Sequence, residues 1–563
     1  MFANISFIFF FLLFLIAIIG YGKIFSNIFY PAFLTLNFGF QGFIGIFTLT
    51  LIAMLSSFFF KHNFLFNSII VLIGLIGFFY KVEKVYLKKN IKSLSIITVL
   101  LIIGLYVFKN HDDFPYYHLP YSLTLVENQF ILGMGNLGHG YRTPSSIFYF
   151  NSLLYLPFIK YYLFHAHGLY ILIFFNIVFL ERIFFKLNNK NYDYFYFLYL
   201  LIFISVNCIF YRLAEFGADR AGQILVFIIF IKYLEIINLN LNVKNLQNSI
   251  IFTTLMTVLA ASMKAYFFIY CIIPIILICN RKRIYLFFNI KFLKIFSTII
   301  LFVLLIFSIN FLSTGCALYP AKNSCVENLK WSIKKDEVQR MKTHYEWWAK
   351  AGGGSNYSVD MKKEDYVKNF NWFENWVDKY FFNKVSDFLL GLAFIVIFIG
   401  VLFYNKDKKK KKYRLIFFLP LILSIGFLME WFFFHPALRY GGYVLISLTI
   451  FMIFSLYLYK YDYSKKNYYK LTILLIALTF LVYNGRNVSR LKHEIIKYNY
   501  NIINSPYFNI PDVNYIISYN KKNKKIYKPI DNMCWNIPTP CSNRSSIKMI
   551  YIKKYKAIVK KER

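Results

Sequence analysis

The residues best suited to chemistry form the run His111-Asp112-Asp113-Phe114-Pro115-Tyr116-Tyr117-His118, which follows an apolar segment ending near Phe108. Adjacent carboxylates at the mouth of a membrane helix are costly unless they face water and have a task. The chain has only 26 acidic residues, so their placement is informative. A carboxylate here suits general-base catalysis toward a hydroxyl group. The alternative is a helix N-cap, because Asp before Phe-Pro suits the first turn of a helix.

Membrane helices must position these residues. The chain has 563 residues, of which 58% are hydrophobic, and a mean hydropathy of +0.50. Many apolar runs are long enough to cross a bilayer, where only helices and closed barrels satisfy the backbone. We detect no strand alternation, so the sequence predicts an all-α polytopic membrane protein. Met1 to Tyr21 lacks a basic start and a cleavage site, which predicts a retained helix and not a signal peptide.

The net charge of +38 does not indicate nucleic-acid binding, because no basic-aromatic binding module accompanies it. Much of the Lys lies in short runs between apolar segments, as the positive-inside rule requires of cytoplasmic loops. The most basic loops, which we predict to be cytoplasmic, are Lys81–Lys92, Arg281–Lys294, Lys406–Arg414 and Lys460–Lys470.

Counting helices between these loops predicts about 14 spans, with a range of about 12–14. Their bounds are 2–22, 39–60, 64–80, 93–108, 168–185, 194–211, 221–237, 249–263, 265–280, 295–313, 387–404, 415–434, 441–459 and 471–484. Segment 144–164 becomes an interfacial or re-entrant piece. In an alternative map it spans the membrane, and 249–280 is one helix around Lys264, which moves Arg212–Arg220 inside. The Asp112-Asp113 pair lies outside in both maps.

Two close cysteine pairs fall in predicted external segments, Cys316 with Cys325 and Cys534 with Cys541. Paired cysteines on the oxidising side of a membrane indicate disulfides. A zinc site is the rival interpretation, but no His lies at ligand spacing beside either pair.

The external segments also share residues suited to one reaction class. A sugar leaves a lipid-linked phosphate when a carboxylate deprotonates an attacking hydroxyl group, and Arg side chains or a divalent metal stabilise the leaving phosphate. We predict Asp112 and Asp113 as catalytic or, with Mg²⁺ or Mn²⁺, as metal ligands. Predicted substrate-binding residues are His118, Asn136, His139, Arg142, Glu215, Asp219 and Arg439. Five of the seven Trp residues lie in loop 314–386, where they suit sugar stacking or interfacial packing.

An acidic pair in the first large external loop, followed by aromatics and His, resembles GT-C-fold, polyprenyl-phosphate-dependent membrane glycosyltransferases. More closely, the chain resembles a group of uncharacterised large bacterial membrane proteins. The elements that carry this resemblance are Asp112-Asp113, Tyr117-His118-Leu119-Pro120, the Gly-x-x-Asn-Leu stretch that ends at Leu137 with the His and Arg that follow it, Asn151-Ser152, Gly315-Cys316-Ala317-Leu318-Tyr319-Pro320 and the run Cys534 to Cys541 with its Cys-Trp-x-x-Pro-x-Pro-Cys pattern. One departure is that four helices precede the acidic loop, where GT-C enzymes typically have one.

The resemblance implies three regions: additional helices over 1–92, a GT-C-like core over 93–484 with external loops 109–167 and 314–386, and an external tail over 485–563. It implies a multi-pass enzyme of the cytoplasmic (inner) membrane that moves a sugar from a polyprenyl-phosphate donor to an external acceptor hydroxyl in surface-glycan assembly. Membrane lipids and that donor are the implied partners. The acidic loop and the C-terminus would face the external, periplasmic side. The oligomeric state stays open.

Simpler interpretations also stay open. Arg439 could simply anchor a helix end at the lipid headgroups, and Arg142 could contact a lipid phosphate without catalysis. Glu215 and Asp219 could belong to a local turn of paired charges. Lys264, a cation in apolar surroundings, is a functional candidate by default, and it also suits a short turn between two helices. The alternative functions are a transporter or flippase of lipid-linked saccharides and a non-catalytic membrane protein. A transporter predicts inverted repeats and polar groups at mid-membrane, whereas here no repeat is evident and the polar groups collect at one face.

Overall fold

Apolar helices dominate the protein, as its hydropathy predicts. The computed structural model describes residues 2–80, 84–108, 113–213, 217–239, 241–279, 290–353, 360–407, 418–463, 467–498, 500–503, 506, 510–521 and 524–561. Within these ranges nine helices are long and apolar enough to cross a membrane, and four apolar helices are shorter. The chain is therefore a multi-pass membrane protein.

The first half of the chain carries helices α1 to α10. Their bounds are α1 Phe2–Phe29, α2 Phe38–Ser56, α3 Phe64–Phe79, α4 Lys84–Leu101, α5 Ile103–Tyr106, α6 Leu119–Glu127, α7 Ser146–Ser152, α8 His167–Asn188, α9 Tyr194–Ile209 and α10 Asp219–Asn238. The second half carries α11 to α20. Their bounds are α11 Val243–Met263, α12 Ile272–Ile278, α13 Ile290–Thr314, α14 Lys335–Lys350, α15 Lys363–Tyr366, α16 Phe373–Trp376, α17 Ser386–Leu402, α18 Phe418–Phe434, α19 Gly442–Tyr459 and α20 Tyr469–Tyr498.

Every segment that we predicted to span the membrane coincides with helix in the described residues. The helix boundary at Lys264 decides between the two predicted maps, because α11 ends at Met263 and Lys264 itself is extended, with φ −154° and ψ 135°. The region 144–164 holds only the short helix α7, followed by turns. The alternative map, with one helix over 249–280 and a span at 144–164, is therefore wrong. The helix α20 continues to Tyr498, past the end that we predicted for the last span.

The added helices α1 to α3 pack into the rest of the bundle. The ring of Phe11 stacks on that of Tyr170 at 4.7 Å, and the Tyr170 hydroxyl donates to the Phe11 carbonyl at 3.1 Å. On α2, the ring of Phe47 stacks on Phe302 of α13 at 4.8 Å. Residues 1–92 thus share one core with the helices that follow.

The described loops gather at two ends of the helices. At one end, which we call the basic pole, lie the loops around residues 37, 192, 405 and 463, together with Asn90 in the N-terminal part of α4. Here the Phe38 N–H donates to Oδ1 of Asn90 at 3.3 Å, and the Tyr468 N–H donates to the Tyr192 hydroxyl at 3.1 Å. Asn90 and the loops at 405 and 463 lie in or beside basic loops that we predicted to be cytoplasmic, whereas residues 81–83, 281–289, 408–414 and 464–466 of those loops lie outside the described residues.

The opposite end, which we call the acidic pole, holds residues 57–63, 113–166, 210–213, 217–219, 315–353, 360–385, 435–441 and the tail. The indole N–H of Trp376 donates to the carbonyl of Pro436 at 2.7 Å, which ties the loop 315–385 to the turn between α18 and α19. The grouping of loops at this pole matches the grouping that we predicted for the external side.

The tail after α20 adds two antiparallel β-hairpins, β1 Tyr515–Lys521 with β2 Lys524–Pro529, and β3 Ile547–Ile552 with β4 Tyr555–Lys560. Leu132 extends the second hairpin through a parallel bridge to Ala557. Our conclusion that strand alternation is absent was wrong for the tail. The strand β3 alternates only over its first half and then has consecutive apolar residues, which is too short a pattern to detect.

Candidate functional site

Asp113 begins the helical segment Phe114–His118 at the acidic pole. It occupies the N-cap position but makes no side-chain capping hydrogen bond to the described turn that follows it. Its carboxylate acts electrostatically on Tyr117, His139 and Arg439. Asp113 is therefore part of the charged cluster at this pole. Its neighbours His111 and Asp112 lie outside the described residues, as does Glu215.

Arg439 lies in the short 3₁₀ turn that joins α18 to α19. Its guanidinium donates to the Tyr440 hydroxyl at 2.7 Å and lies 4.8 Å from the centre of the same ring. Its backbone carbonyl accepts from the Gln223 amide at 3.1 Å. Burial alone would lower the pKa of Arg439, but Tyr440, Asp219 and Asp113 together raise it. The guanidinium is thus a permanent cation next to two carboxylates.

Asp219 and Lys264 supply a second pair of charges at this place. Asp219 is the first residue of α10, and Lys264 lies at the break after α11. The Lys264 ammonium forms an ion pair with the Asp219 carboxylate, and the two side chains are 28% and 26% exposed. The ammonium also lies 4.3 Å from the centre of the Tyr440 ring. Both cations therefore lie close to the same ring, that of Tyr440.

The charges of Asp113, Asp219 and Arg439 all act on the side chain of Tyr117. Burial raises the pKa of Tyr117, and Asp113 and Asp219 raise it further, while Arg439 opposes them. Four separate chain segments thus bring two carboxylates and two cations within electrostatic range of one another. An array of this kind can bind a phosphate through its cations and accept a proton through a carboxylate.

The two predicted substrate-binding histidines differ in exposure. His118 is buried, with its ring 4.3 Å from that of Tyr117 and 5.2 Å from that of Phe148. His139 is more exposed, and its Nδ1 lies 3.3 Å from the Tyr116 hydroxyl. Burial lowers the pKa of His139, which Asp113 partly opposes. His139 is therefore the better placed of the two to meet a ligand.

Arg142 and Asn136 have structural partners. Arg142 is only 1% exposed, forms an ion pair with Glu337, and donates from Nε to the Gly135 carbonyl at 3.2 Å. Asn136 is also 1% exposed and donates to the carbonyls of Trp331 and Ile558 at 2.8 and 3.1 Å. Both side chains join the acidic loop to other segments, which gives them a structural role, and their substrate-binding role stays a prediction.

Glu337 connects three parts of the acidic pole. Besides Arg142, it accepts from the Lys560 ammonium of β4 at 2.5 Å. Burial alone would raise the pKa of Glu337, but Lys560 and Arg142 outweigh burial and lower it to about 2. Sequence reasoning missed Glu337, because nothing in its local pattern distinguishes it from other surface acids.

The tryptophans and cysteines of the acidic pole serve packing. Trp372 is 1% exposed, and Trp376 is 5% exposed and bonded to Pro436. These two residues fit the interfacial packing that we considered beside sugar stacking. Both expected disulfides are present, Cys316–Cys325 and Cys534–Cys541.

Sequence reasoning weighed Lys264 as a functional candidate but favoured a turn between two helices, and it gave no role to Tyr117, Gln223 and Tyr440. The available signal was Lys264 itself, a cation in apolar surroundings. For a metal, the described part of the chain contains no group of three His, Cys, Asp or Glu side chains close enough to hold an ion. The predicted Mg²⁺ or Mn²⁺ ligation involves Asp112, which lies outside the described residues.

The fold and the charged site define a multi-pass helical membrane protein with a polar site at one pole. Residues 5–446 match a family described as a domain of unknown function, DUF8201, and because this match covers more than half of the chain, the protein belongs to that family. No curated protein matches the chain, and no solved structure matches it.

Proposed function

We propose that the protein is an integral membrane glycosyltransferase of GT-C type, which transfers a sugar from a polyprenyl-phosphate donor to an acceptor hydroxyl on the external face of the cytoplasmic membrane. The observation that carries the proposal is the convergence of Asp113, Asp219, Lys264 and Arg439 at the acidic pole. A lipid-linked sugar phosphate offers the complementary groups, an anionic phosphate at headgroup depth and an anomeric carbon beside it.

Asp113 is the proposed general base. Lys264 neutralises Asp219 through their ion pair, and the Asp113 carboxylate lies within electrostatic range of Arg439, the cation that we assign to the donor phosphate. The Asp113 carboxylate takes the proton from the acceptor hydroxyl, and the hydroxyl oxygen forms a bond to the anomeric carbon. The bond from that carbon to the phosphate oxygen breaks, and the phosphate leaves with the electron pair.

Arg439 and Lys264 stabilise the leaving phosphate. A guanidinium presents paired N–H donors that match two phosphate oxygens. The ammonium of Lys264 adds a second positive charge, 4.3 Å from the centre of the same Tyr440 ring. Their charge opposes the negative charge that builds on the phosphate as the glycosidic bond breaks, which lowers the barrier in a low-dielectric site.

The test uses cells that lack the chain and are complemented with the wild type, Asp113→Asn or the control Asp365→Asn. Asp365 is an exposed residue of the loop 360–385, paired only with its neighbour Lys368 among the described ion pairs. At equal expression, we expect Asp113→Asn to lower the glycan product by about 10²- to 10⁴-fold, since loss of a general base costs that much. The control keeps normal surface glycans, measured by mass spectrometry.

A second measurement separates binding from chemistry. The purified full-length protein is titrated with undecaprenyl phosphate in detergent, followed by native mass spectrometry. We expect Asp113→Asn to bind this lipid like the wild type, and Arg439→Leu to bind it at least tenfold more weakly. If cells with and without the chain have the same surface glycans, the proposal fails. It fails too if the reconstituted wild type moves an unaltered lipid-linked saccharide across a liposome membrane, since that is transport.

A further inference from the structure

The tail loop 534–541, closed by the Cys534–Cys541 disulfide, lies directly on the segment that begins with Asp113. The backbone N–H of Trp535 donates to the carbonyl of Pro115 at 2.9 Å. The indole ring meets the ring of Phe114 edge-on, with centroids 5.7 Å apart and planes at 89°. Trp535 therefore contacts the two residues that follow the proposed base.

The other end of the same loop holds the far end of α6. The backbone N–H and the hydroxyl of Thr539 both donate to one carboxylate oxygen of Glu127, at 2.8 and 2.6 Å. The amide of Asn128 donates to the Thr539 hydroxyl at 3.3 Å. The disulfide loop thus contacts the helical segment 114–127 at both of its ends, although Thr539 and Glu127 lie more than 400 residues apart in sequence.

Trp535 has a backbone conformation that a large side chain rarely adopts, with φ +46°. Such a conformation costs a non-glycine residue stability and persists where the surroundings over-determine it. Here the surroundings are the disulfide on one side and the Pro115 hydrogen bond on the other. Gly or Asn would adopt this backbone conformation at a lower cost in stability. We therefore attribute the presence of Trp at this position to the contacts of its indole ring.

We propose that Trp535 is a positioning residue of the acidic site. Its ring and its N–H fix the first turn of the 114–118 segment and thereby the direction in which Asp113 and Tyr117 enter the site. The catalytic consequence rests on the proposed glycosyltransferase function. The structural consequence, a rigid first turn, does not depend on that function.

The test compares full-length Trp535→Ala and Trp535→Phe with a matched control, Tyr551→Ala. Tyr551 is an aromatic residue of the same tail that is 45% exposed on β3. The reporter is hydrogen–deuterium exchange at the amide of Leu119, which donates to the Phe114 carbonyl and closes the turn. Because the edge-on ring contact is lost, we expect Trp535→Ala to exchange about three- to tenfold faster there. Trp535→Phe restores slow exchange, and Tyr551→Ala leaves it unchanged.

In the transfer reaction we expect Trp535→Ala to lower kcat while KM for the lipid donor changes little, because the cations that hold the phosphate are untouched. Equal Leu119 exchange in Trp535→Ala and in the control overturns the positioning role, as does a Trp535→Phe variant that exchanges as fast as Trp535→Ala. If exchange at Leu119 rises as expected but the wild type transfers no sugar, the glycosyltransferase proposal fails and the structural role of Trp535 stands.

Discussion

Replacing Glu337 by Gln tests how the acidic pole is held together. The side chain of Glu337 joins Arg142 of the acidic loop to Lys560 of the tail hairpin. Glutamine keeps the shape but removes the charge that balances a guanidinium only 1% exposed. We expect the loop 133–142 to open more readily in Glu337→Gln, because the substitution leaves a buried cation without its counter-ion.

Two lines of reasoning give the same size for this effect. Breaking a buried ion pair by removing one partner costs about 3–5 kcal/mol. Independently, the pKa of Glu337 is lowered from 4.5 to about 2, which corresponds to about 3 kcal/mol of stabilisation at neutral pH. A loss of about 3 kcal/mol raises a local opening constant about 100-fold.

The measurement is hydrogen–deuterium exchange at the amides of Asn136 and Leu137, which donate to the carbonyls of Gly133 and Met134 at 2.9 Å. The matched control is Asp365→Asn, which breaks an ion pair whose members are 64% and 52% exposed. Exposed pairs contribute about 1 kcal/mol or less. If Glu337→Gln exchanges no faster at these amides than Asp365→Asn does, the buried-pair reasoning is refuted.

The pH dependence supplies a second check on the same residue. Because the folded pKa of Glu337 lies below its usual value, the stabilisation is fully present above pH 4.5 and is lost as the pH falls toward about 2. After correction for intrinsic exchange, we expect the wild-type loop to open more readily as the pH falls through this window. Glu337→Gln lacks the titrating group and therefore lacks that response.

The remaining predictions concern the turn that carries Arg439. Gly441 has φ +109°, and an added Cβ would lie 2.5 Å from the Tyr266 ring. We therefore expect Gly441→Ala to destabilise the protein by about 1–3 kcal/mol, as measured by thermal unfolding in detergent. Gly426→Ala, a control with no atom within 4 Å of the new Cβ, leaves stability equal or higher. Gln223→Leu removes the donor to the Arg439 carbonyl, and we expect the lost hydrogen bond to lower the stability of the protein by about 1–3 kcal/mol. If this variant binds the lipid as tightly as the wild type does, Gln223 has no role in placing Arg439.

Most of the helical architecture could be predicted from the sequence, because length and apolarity alone decide whether a segment suits a bilayer. The break at Lys264 was predictable for the same reason, since a charge in an apolar run favours a helix end. The hairpins of the tail were not. Their strands are six or seven residues long, and they pack against distant loops that no local pattern specifies.

The candidate site was predictable in part. Membrane topology assigns Asp113, Asp219 and Arg439 to the same side, and the structure brings these three side chains within electrostatic range. The pairing of Asp219 with Lys264 was not predictable, because which side chains meet depends on how α10 and α11 pack. Arg142 shows the same limit. Its residue type suggested that it binds a phosphate, whereas in the structure it is buried and pairs with Glu337, which lies 195 residues away in sequence.

The acidic pole carries two independent indications of its side of the membrane. Described residues beside two of the Lys-rich runs, Asp407 and Asp462, lie at the basic pole, and the positive-inside rule predicts that such runs are cytoplasmic. Both disulfides lie at the acidic pole, and disulfides persist in oxidising compartments. The loop 534–541 also contacts Phe114 and Pro115 directly, so the disulfide and the proposed base must share one side. Because charge bias and cysteine chemistry are unrelated, their agreement is the strongest reason to expect the reaction on the external face.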